Sequence, residues 1–483
     1  TDDLEHPLPQ TCAPHLEPHR PQRMQPLPGR GTELSTLKHG RDDSSQTVSG
    51  PLMGEGSPSA PNPWHIVPLA DYAVPSDSTR SLLKNRWKAL NRIYGGADKK
   101  DDVACAEAEL RALPHVRLAN LVPPIDWSSA AQALATACSE AAEEHTLKPD
   151  VNFTDSKVDA PRFLIGQPYC DHAAILEHRA SQRRARVLQA PDTAQILAGD
   201  KSWLETLPLG HGQPWVLPAL ERCFLRHANG LDLLRGFLER ALSGSLGPGV
   251  IGCDSWAFAF IQRIFPLPGT LALTLQAFDG PALADYFVRA RALAGPRSQI
   301  LFLSARSGKP LLPDETDDPS ASDSAAQGRE QNAPELRQLA AHCRGNPGLA
   351  WHYWRQRLRA EAEPQAQDDG MDLTSGMPTR DAGEQACDDI VWVAQEDDAP
   401  SLPTEANEDI AFALHALLLH RGLTTNQLAL LLPSPRARIA SQLLRLQALG
   451  LLVLERDLWQ VAPLAYPTVR EFLRVRSYLT DAF

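Results

Sequence analysis

Short apolar runs alternate with helical patterns between residues 161 and 306, and this alternation leaves few folds open to the chain. The runs are RFLIG (162–166), RVLQA (186–190), PWVLPALE (214–221), GVIGC (249–253) and TLALTLQAF (270–278). Strands that are covered on both faces read as continuous apolar runs, and strands that alternate with helices are typical of a parallel sheet. The crossovers between such strands must be right-handed. We therefore predict an α/β fold with a parallel, doubly wound sheet.

Composition divides the rest of the chain. Residues 1–63 hold 11 prolines and 6 glycines, and residues 361–409 carry 15 acidic residues against one basic residue, so neither stretch can bury much apolar surface. The predicted organisation is a disordered proline-rich arm (1–63), a helical N-terminal region (64–160), the α/β domain (161–306), a flexible insert (307–333), a helical lid (334–360), an acidic insert (361–408) and a compact C-terminal domain (409–483).

Local patterns refine these regions. Helical periodicity predicts helices near 79–93, 102–113 and 128–145, the third capped by Ser128 or Ser129. Within the acidic insert, IVWV (390–393) predicts a short edge strand. In the C-terminal domain three helical patterns, the third ended by Gly450, precede two strands and a last helix. Three helices followed by a β-hairpin are typical of a winged helix-turn-helix.

The bulk properties exclude several classes of protein. The formal net charge of −12 argues against a nucleic-acid coat, and no apolar stretch approaches the roughly 18 residues of a membrane helix. The first ten residues, TDDLEHPLPQ, lack the apolar core of a signal peptide. The eight cysteines are scattered without a CxxC or zinc-ribbon spacing, so we expect reduced thiols, no metal site and a cytoplasmic location.

The turn after the first apolar run has the register of a phosphate-binding P-loop, GxxxxGK[ST], starting at Gly166. That motif needs a second glycine for the main-chain nest, a lysine for the terminal phosphates and a hydroxyl for magnesium. The sequence GQPYCDHA instead has Asp171, His172 and Ala173 at these positions. An aspartate repels phosphate and an alanine cannot bind magnesium, so catalysis by this loop is not expected.

Three further positions of the same pattern have two interpretations each. Glu221 follows the third run with Leu220 before it, and it would either orient a water or pair with Arg222 or Arg226 or cap the next helix. Ser255 follows the fourth run as a phosphate sensor or a helix cap. Gly345-Asn346-Pro347 opens a helix of the predicted lid, where a proline needs no N–H partner.

The order of sheet, GNP-bearing lid and winged helix resembles the STAND and AAA-type branch of P-loop NTPases over about residues 160–483. The resemblance implies that the GNP turn contacts adenine or ribose and that the winged helix packs on the nucleotide domain. The catalytic lysine, the magnesium-binding hydroxyl and the Walker B aspartate have no counterpart, because His172, Ala173 and Leu220 stand in their places. ATP or ADP would therefore bind weakly or not at all, through Gly166, Gln167, His172, Ser255, Asn346 and Pro347.

Three hypotheses of function follow. The first is a catalytically degenerate regulatory or scaffold protein that acts through contacts with a protein partner, since STAND proteins are switches. The second is a DNA-binding regulator that uses Arg436, Arg438 and Arg445 of the predicted recognition helix. The third is an ATPase switch completed by another chain, or by Lys157 or Lys201, and the sequence leaves the oligomeric state open.

Two other clusters have plain interpretations. Trp351 and Trp354 lie three residues apart on a predicted helix, which favours core packing over a base-stacking platform. The basic stretch HRASQRRAR (178–186) is predicted to be an exposed helix face, with a docking patch for an acidic partner or for the acidic insert as the alternative.

Overall fold

The structure is a computed structural model that describes residues 62–75, 110–147, 161–208, 210, 212–267, 270–293, 300–312, 334–361, 390–394 and 399–483. All but the last two residues of the predicted arm, the predicted helix at 79–93 and most of both predicted inserts lie outside these ranges.

The described residues contain twelve strands in three sheets. In chain order the strands are β1 (Ile66–Pro68), β2 (Leu110–Ala112), β3 (Arg162–Gly166), β4 (Arg186–Val187), β5 (Trp215–Leu217), β6 (Gly249–Asp254), β7 (Ala272–Leu275), β8 (Leu301–Ser304), β9 (Leu358–Glu361), β10 (Ile390–Val393), β11 (Leu452–Glu455) and β12 (Leu458–Val461).

The same residues contain fourteen α-helices. They are α1 (His115–Leu121), α2 (Ser128–Leu147), α3 (His172–Arg183), α4 (Thr193–Ala198), α5 (Ser202–Glu205), α6 (Asp232–Leu242), α7 (Ser255–Ile264), α8 (Gly280–Leu293), α9 (Pro334–His342), α10 (Pro347–Arg357), α11 (Glu408–Leu419), α12 (Thr425–Leu431), α13 (Arg436–Ala448) and α14 (Tyr466–Val475). No helix in the described ranges is both long enough and apolar enough to cross a membrane.

The main sheet has six strands in the order β1-β7-β3-β6-β5-β4. The five predicted runs form β3 to β7, which pair in parallel, and β1 joins the edge antiparallel to β7. The prediction of a mixed α/β fold with a largely parallel sheet is confirmed. From the central strand β3 the chain crosses to the far edge at β4 and returns strand by strand, so the strand order reverses beside β3. Ligands of open α/β sheets bind at such a point, outside the carboxyl ends of the strands, and we call this side of the sheet the carboxyl edge.

The second sheet corrects three local predictions. Its strand order is β2-β9-β10-β8. Leu110–Ala112 is a strand where a helix was predicted for 102–113, because it pairs antiparallel with β9. The predicted edge strand IVWV is an inner strand, between β9 and β8, and its Val391 side chain is fully buried. The predicted flexible insert begins too early, since Leu311 and Leu312 are buried.

Helix α2 confirms the predicted helix near 128–145 but not its cap. The main-chain N–H and the hydroxyl of Ser128 both donate to the Asp126 carboxylate, at 2.9 and 2.7 Å. Asp126 therefore takes the capping role that the sequence assigned to Ser128 or Ser129.

The C-terminal part contains the predicted three helices, the two-stranded hairpin β11–β12 and a last helix. Gly450 follows α13 with a φ of 72°, the left-handed conformation expected of a residue that ends a helix. This part packs against the carboxyl edge, and its hydrogen bonds to the rest of the chain include Tyr169 Oη to the Val461 main-chain oxygen at 2.8 Å, Trp256 Nε1 to Tyr466 Oη at 3.1 Å, and Tyr353 Oη to the Leu464 main-chain oxygen at 2.8 Å.

Candidate functional site

The loop between β3 and α3 turns tightly at the centre of the carboxyl edge. Cys170 N–H donates to the Gln167 main-chain oxygen at 3.0 Å, and His172 N–H donates to the Cys170 oxygen at 2.7 Å. Asp171 caps α3 by accepting from Ala174 N–H at 3.4 Å. A phosphate nest needs main-chain N–H groups that are free to donate. The N–H groups of Cys170 and His172 already donate inside the loop, so they are not free to bind a phosphate.

Helix α10 lies directly on this loop. Asn346 caps α10, where its Oδ1 accepts from Leu349 N–H at 2.8 Å, while its Nδ2 donates to the Pro168 main-chain oxygen at 2.7 Å. Cys170 Sγ also donates to Asn346 Oδ1, at 3.2 Å. A Cβ atom on Gly348 would lie 2.1 Å from the Tyr169 main-chain oxygen, so helix and loop touch without any gap. Pro347 stands in the first turn of α10, as predicted.

A buried hydrogen bond between His172 and Glu221 joins the loop to the next strand ends. His172 Nε2 lies 3.1 Å from Glu221 Oε1, and both side chains are almost completely buried. The other carboxylate oxygen of Glu221 accepts from Asp254 N–H at 3.1 Å. The partner of Glu221 is thus His172, whereas the sequence offered Arg222 or Arg226. Burial raises the pKa of Glu221, but His172 and Arg421 outweigh burial and hold that pKa below its usual range.

Gly166 makes this pair possible. A Cβ atom there would lie 2.5 Å from His172 Nδ1, so only glycine allows the imidazole ring to fold back over the end of β3. Nδ1 itself is buried without a hydrogen-bond partner. Gly166 thus admits the His172 ring at the end of β3.

The helix that follows β6 has a different cap from the predicted one. Asp254, not Ser255, caps α7, by accepting from Trp256 N–H at 2.9 Å. Burial and the neighbouring Glu221 raise the pKa of Asp254 well above its usual range. Ser255 Oγ instead donates to Asp481 Oδ2 at 2.7 Å, and both groups are buried.

Arg421, which no pattern in the sequence predicted, contacts the loop. Arg421 Nη2 lies 2.9 Å from Asp171 Oδ1, and the Arg421 main-chain oxygen accepts from Arg222 Nη2 at 3.0 Å. Arg421 follows α11 with a φ of 50°, before Gly422. No spacing in the sequence links it to Asp171, which lies 250 residues earlier.

One cavity at the carboxyl edge measures about 250 Å³ and is lined in part by Glu221, Arg222 and His420. A second cavity, of about 80 Å³, lies between the loop and the C-terminal part, lined by Pro168, Tyr169, Asp254, Leu417, Leu418, Arg421, Gly422, Gln460 and Val461. Pockets for drug-sized ligands usually measure roughly 300 to 1,000 Å³. Asp254 lines this second cavity together with the cation Arg421, and the cavity is smaller than the pockets that usually hold a nucleotide.

The arginines proposed for DNA contacts are exposed on α13. Arg438 lies 3.8 Å from Asp409, and Arg445 lies 3.7 Å from Glu405. Exposed ion pairs of this kind contribute about 1 kcal/mol or less. Between the arginines, Leu444 is 58% exposed, so the helix face is mixed and not uniformly basic.

The remaining candidate residues fall into place. Trp354 stacks on Phe287 with ring centroids 4.5 Å apart, which confirms its core role. In the basic stretch 178–186, Arg183, Arg184 and Arg186 are exposed as predicted, whereas Arg179 is buried. Among the described residues no group of three or more His, Cys, Asp or Glu side chains could hold a metal ion. Lys157 lies outside the described residues.

No protein family model matches the sequence, and a search of curated proteins finds no match to it.

Proposed function

We propose that this chain is a catalytically degenerate, NTPase-like regulatory or scaffold protein, which acts through contacts with protein partners and binds ATP at most weakly. The observation that carries the proposal is the filled carboxyl edge. Asn346 and Gly348 bring α10 onto the loop after β3, and the His172–Glu221 pair takes the position where phosphates and magnesium would bind. When side chains occupy the ligand position in this way, the fold is kept but hydrolysis is lost.

The strand order supports the NTPase-like part of the proposal. Numbered from β3, the parallel strands stand in the order fifth, first, fourth, third, second. This is the order of the AAA-type sheets that the sequence resembles. The position of α10 over the loop agrees with a lid, and α11, α12, α13 and the β11–β12 hairpin agree with a winged helix.

The surface of the C-terminal part supports protein contacts over DNA contacts. Exposed leucines occur on α12, on α13 and at its end, and on the hairpin; they are Leu430, Leu444, Leu449 and Leu454. Protein interfaces enrich apolar side chains in this way, whereas a surface that follows a DNA backbone depends on free cations. Two of the three arginines proposed for DNA already lie beside carboxylates.

The test is hydrolysis of radiolabelled ATP with Mg²⁺ by the purified full chain, with Glu221→Gln as the matched control. We expect the wild-type chain to release no more phosphate than the Glu221→Gln variant. Hydrolysis by the wild type that is lost in the variant would overturn the proposal in favour of an active ATPase. A partner chain that switches on such hydrolysis would favour the completed-ATPase hypothesis.

A further inference from the structure

The residues after α14 fold back over the carboxyl edge. Ser477 has a φ of 60°, which reverses the chain, and Tyr478 N–H donates to the Leu473 main-chain oxygen at 3.0 Å. We call Leu479–Phe483 the 479–483 segment. Its Asp481 and Phe483 are only 5% and 4% exposed, so these two residues are inserted into the protein, whereas Ala482 between them is exposed.

Asp481 accepts hydrogen bonds from side chains on two elements. Ser255 Oγ donates to one carboxylate oxygen at 2.7 Å, while Nε and Nη2 of Arg470 donate to the other at 3.2 and 3.1 Å. Arg470 also donates to the main-chain oxygens of Asp481 and Phe483. A guanidinium group donates stronger hydrogen bonds to a carboxylate than a neutral donor does. It can donate to a phosphate group in the same way.

A second guanidinium group completes the set. Arg344 interacts electrostatically with both Asp481 and Arg470, as an opposite and a like charge. Its Nε is buried and has no hydrogen-bond partner. Without the Asp481 carboxylate, the Arg470 guanidinium and the Ser255 hydroxyl would lose the acceptor that they share.

The position of the segment is the one where the fold expects a ligand. Ser255 follows β6 directly, and Gln167 follows β3 directly. Gln167 Nε2 donates to Tyr72 Oη at 2.8 Å, and the Tyr72 ring packs against Phe483 with centroids 4.7 Å apart. The segment thus covers the crevice between the ends of β3 and β6, where the strand order reverses.

We propose that the 479–483 segment is a displaceable plug, whose Asp481 carboxylate occupies a phosphate-binding site formed by Ser255, Arg344 and Arg470. A phosphate group, free or carried by a nucleotide, competes with Asp481 for these donors and releases the segment. The covalent tether gives Asp481 a high effective concentration, so the intact chain binds phosphate weakly. The site is separate from the filled loop, and the inference goes beyond the proposed function: ATP hydrolysis would overturn the latter and leave the plug untouched.

The experiment removes the Asp481 carboxylate from the site in the full chain. Thermal unfolding of wild type, Asp481→Ala and the double variant Asp481→Ala/Arg344→Ala is followed against inorganic pyrophosphate, at constant ionic strength in chloride. We expect pyrophosphate to raise the melting temperature of Asp481→Ala with an apparent affinity about tenfold or more above that for wild type, because the competitor is gone. The added Arg344→Ala change removes this gain. Glu455→Ala, which deletes an exposed carboxylate of β11, binds like wild type.

Parallel titrations with ADP and inorganic phosphate identify the source of the phosphate group. If ADP binds more tightly than pyrophosphate, the phosphate group comes from a nucleotide. If pyrophosphate binds more tightly than ADP, the site takes free phosphate compounds. The proposal is overturned when no phosphate compound stabilises Asp481→Ala more than wild type, or when Arg344→Ala leaves the gain intact.

Hydrogen exchange of the wild-type chain covers the case in which Asp481→Ala does not fold. Millimolar pyrophosphate is expected to speed exchange at residues 479–483 and to leave the exposed β11–β12 turn unchanged. Unaltered exchange of the segment at saturating pyrophosphate would contradict a displaceable plug.

Discussion

Two glycines bring main chain and side chains closer at the carboxyl edge than any other residue would allow. Gly348 lets α10 meet the Tyr169 main-chain oxygen, and Gly166 lets the His172 ring fold back over β3. Neither glycine owes its place to backbone conformation, since neither has a positive φ. Their role is steric, and the closeness they allow is what leaves no space for phosphate.

The first prediction concerns Gly348. Alanine in a helix is usually about 1 kcal/mol more favourable than glycine, but here the new Cβ atom would lie 2.1 Å from a main-chain oxygen. We expect Gly348→Ala to lower the free energy of unfolding by roughly 1 to 3 kcal/mol, as overpacking does. Urea unfolding measures this change. Gly212→Ala, where nothing lies within 4 Å, is the control, and a Gly348→Ala protein as stable as that control would disprove the tight contact.

The second prediction concerns the buried pair. Glu221→Ala leaves His172 and the Asp254 N–H without their partner in the interior. Each buried polar group left without a partner costs about 1 to 3 kcal/mol, and we expect a loss of about 2 kcal/mol or more in urea unfolding. Glu205→Ala, on the exposed end of α5, should change stability by no more than about 0.5 kcal/mol. Equal stability of the two variants would mean that the pair is not formed.

At the scale of single residues, the sequence showed which nucleotide-binding side chains are missing. It did not show which residues take their places. The absence of lysine and hydroxyl at His172 and Ala173 can be read from the P-loop register alone. The identity of the group that pairs with Glu221, and the contacts of Arg421 and Asp481, cannot. The contacts of His172 with Glu221, of Asp171 with Arg421 and of Ser255 with Asp481 join residues at least 49 positions apart, which only the folded chain brings together.

Two histidines of α11 and its end tie the C-terminal part to the α/β part. Arg226 Nη1 donates to His415 Nδ1 at 3.1 Å, and Arg226 N–H donates to His420 Nε2 at 3.3 Å. Because both donors are N–H groups, both imidazole nitrogens must be acceptors. The opposite nitrogens then donate, from His415 to the Leu479 oxygen and from His420 to the Glu221 oxygen. Both rings are therefore neutral in the folded chain.

The third prediction is the resulting pH dependence. Burial and nearby arginines lower the pKa of His415 and of His420 to about 4, against 6.5 for free histidine, although the bonds to main-chain oxygens oppose the shift. Between these values the unfolded chain binds more protons than the folded chain, so stability falls as the pH is lowered from 6.5 towards 4. In His420→Gln, which cannot titrate, we expect this slope to be shallower by up to about 1.4 kcal/mol per pH unit.

Urea unfolding at a series of pH values between 4 and 7 measures that slope. His178→Gln, at an exposed position of α3, is the control and should retain the wild-type slope. The groups that face His420 from the neighbouring elements are Glu221, Arg222 and Arg226. An identical slope in His420→Gln and wild type would show that the His420 ring is not held neutral at this contact.

Elements were predicted from the sequence where their pattern is local. The five runs of the parallel sheet and the helices and hairpin after residue 407 are periodic or apolar over their whole length, and all occur. Leu110–Ala112 and Ile390–Val393 were misjudged because their structure depends on partners: one pairs with β9, and the other lies between β9 and β8. Pairing with strands that are distant in the sequence leaves no periodic trace in either short segment.

For the whole molecule, three separate parts of the chain meet at one edge of the main sheet. Helix α10 covers the loop after β3, the 479–483 segment covers the ends of β3 and β6, and Arg421 closes the remaining side against Asp171. The sequence predicted that this edge would not catalyse hydrolysis. That the edge is filled by the chain itself is a property of the folded molecule, since all three parts follow residue 334 and the loop they cover begins at residue 167.

Hydrogen exchange of the full chain, with and without millimolar ATP and Mg²⁺, tests this closure most directly. The amides of residues 167–173 and of the first turns of α10 should exchange slowly in the free protein, because they are buried against each other. ATP should leave their exchange rates unchanged. Slower exchange of residues 167–173 on addition of ATP would mean that phosphate enters the loop, and would contradict the filled site on which the proposed function depends.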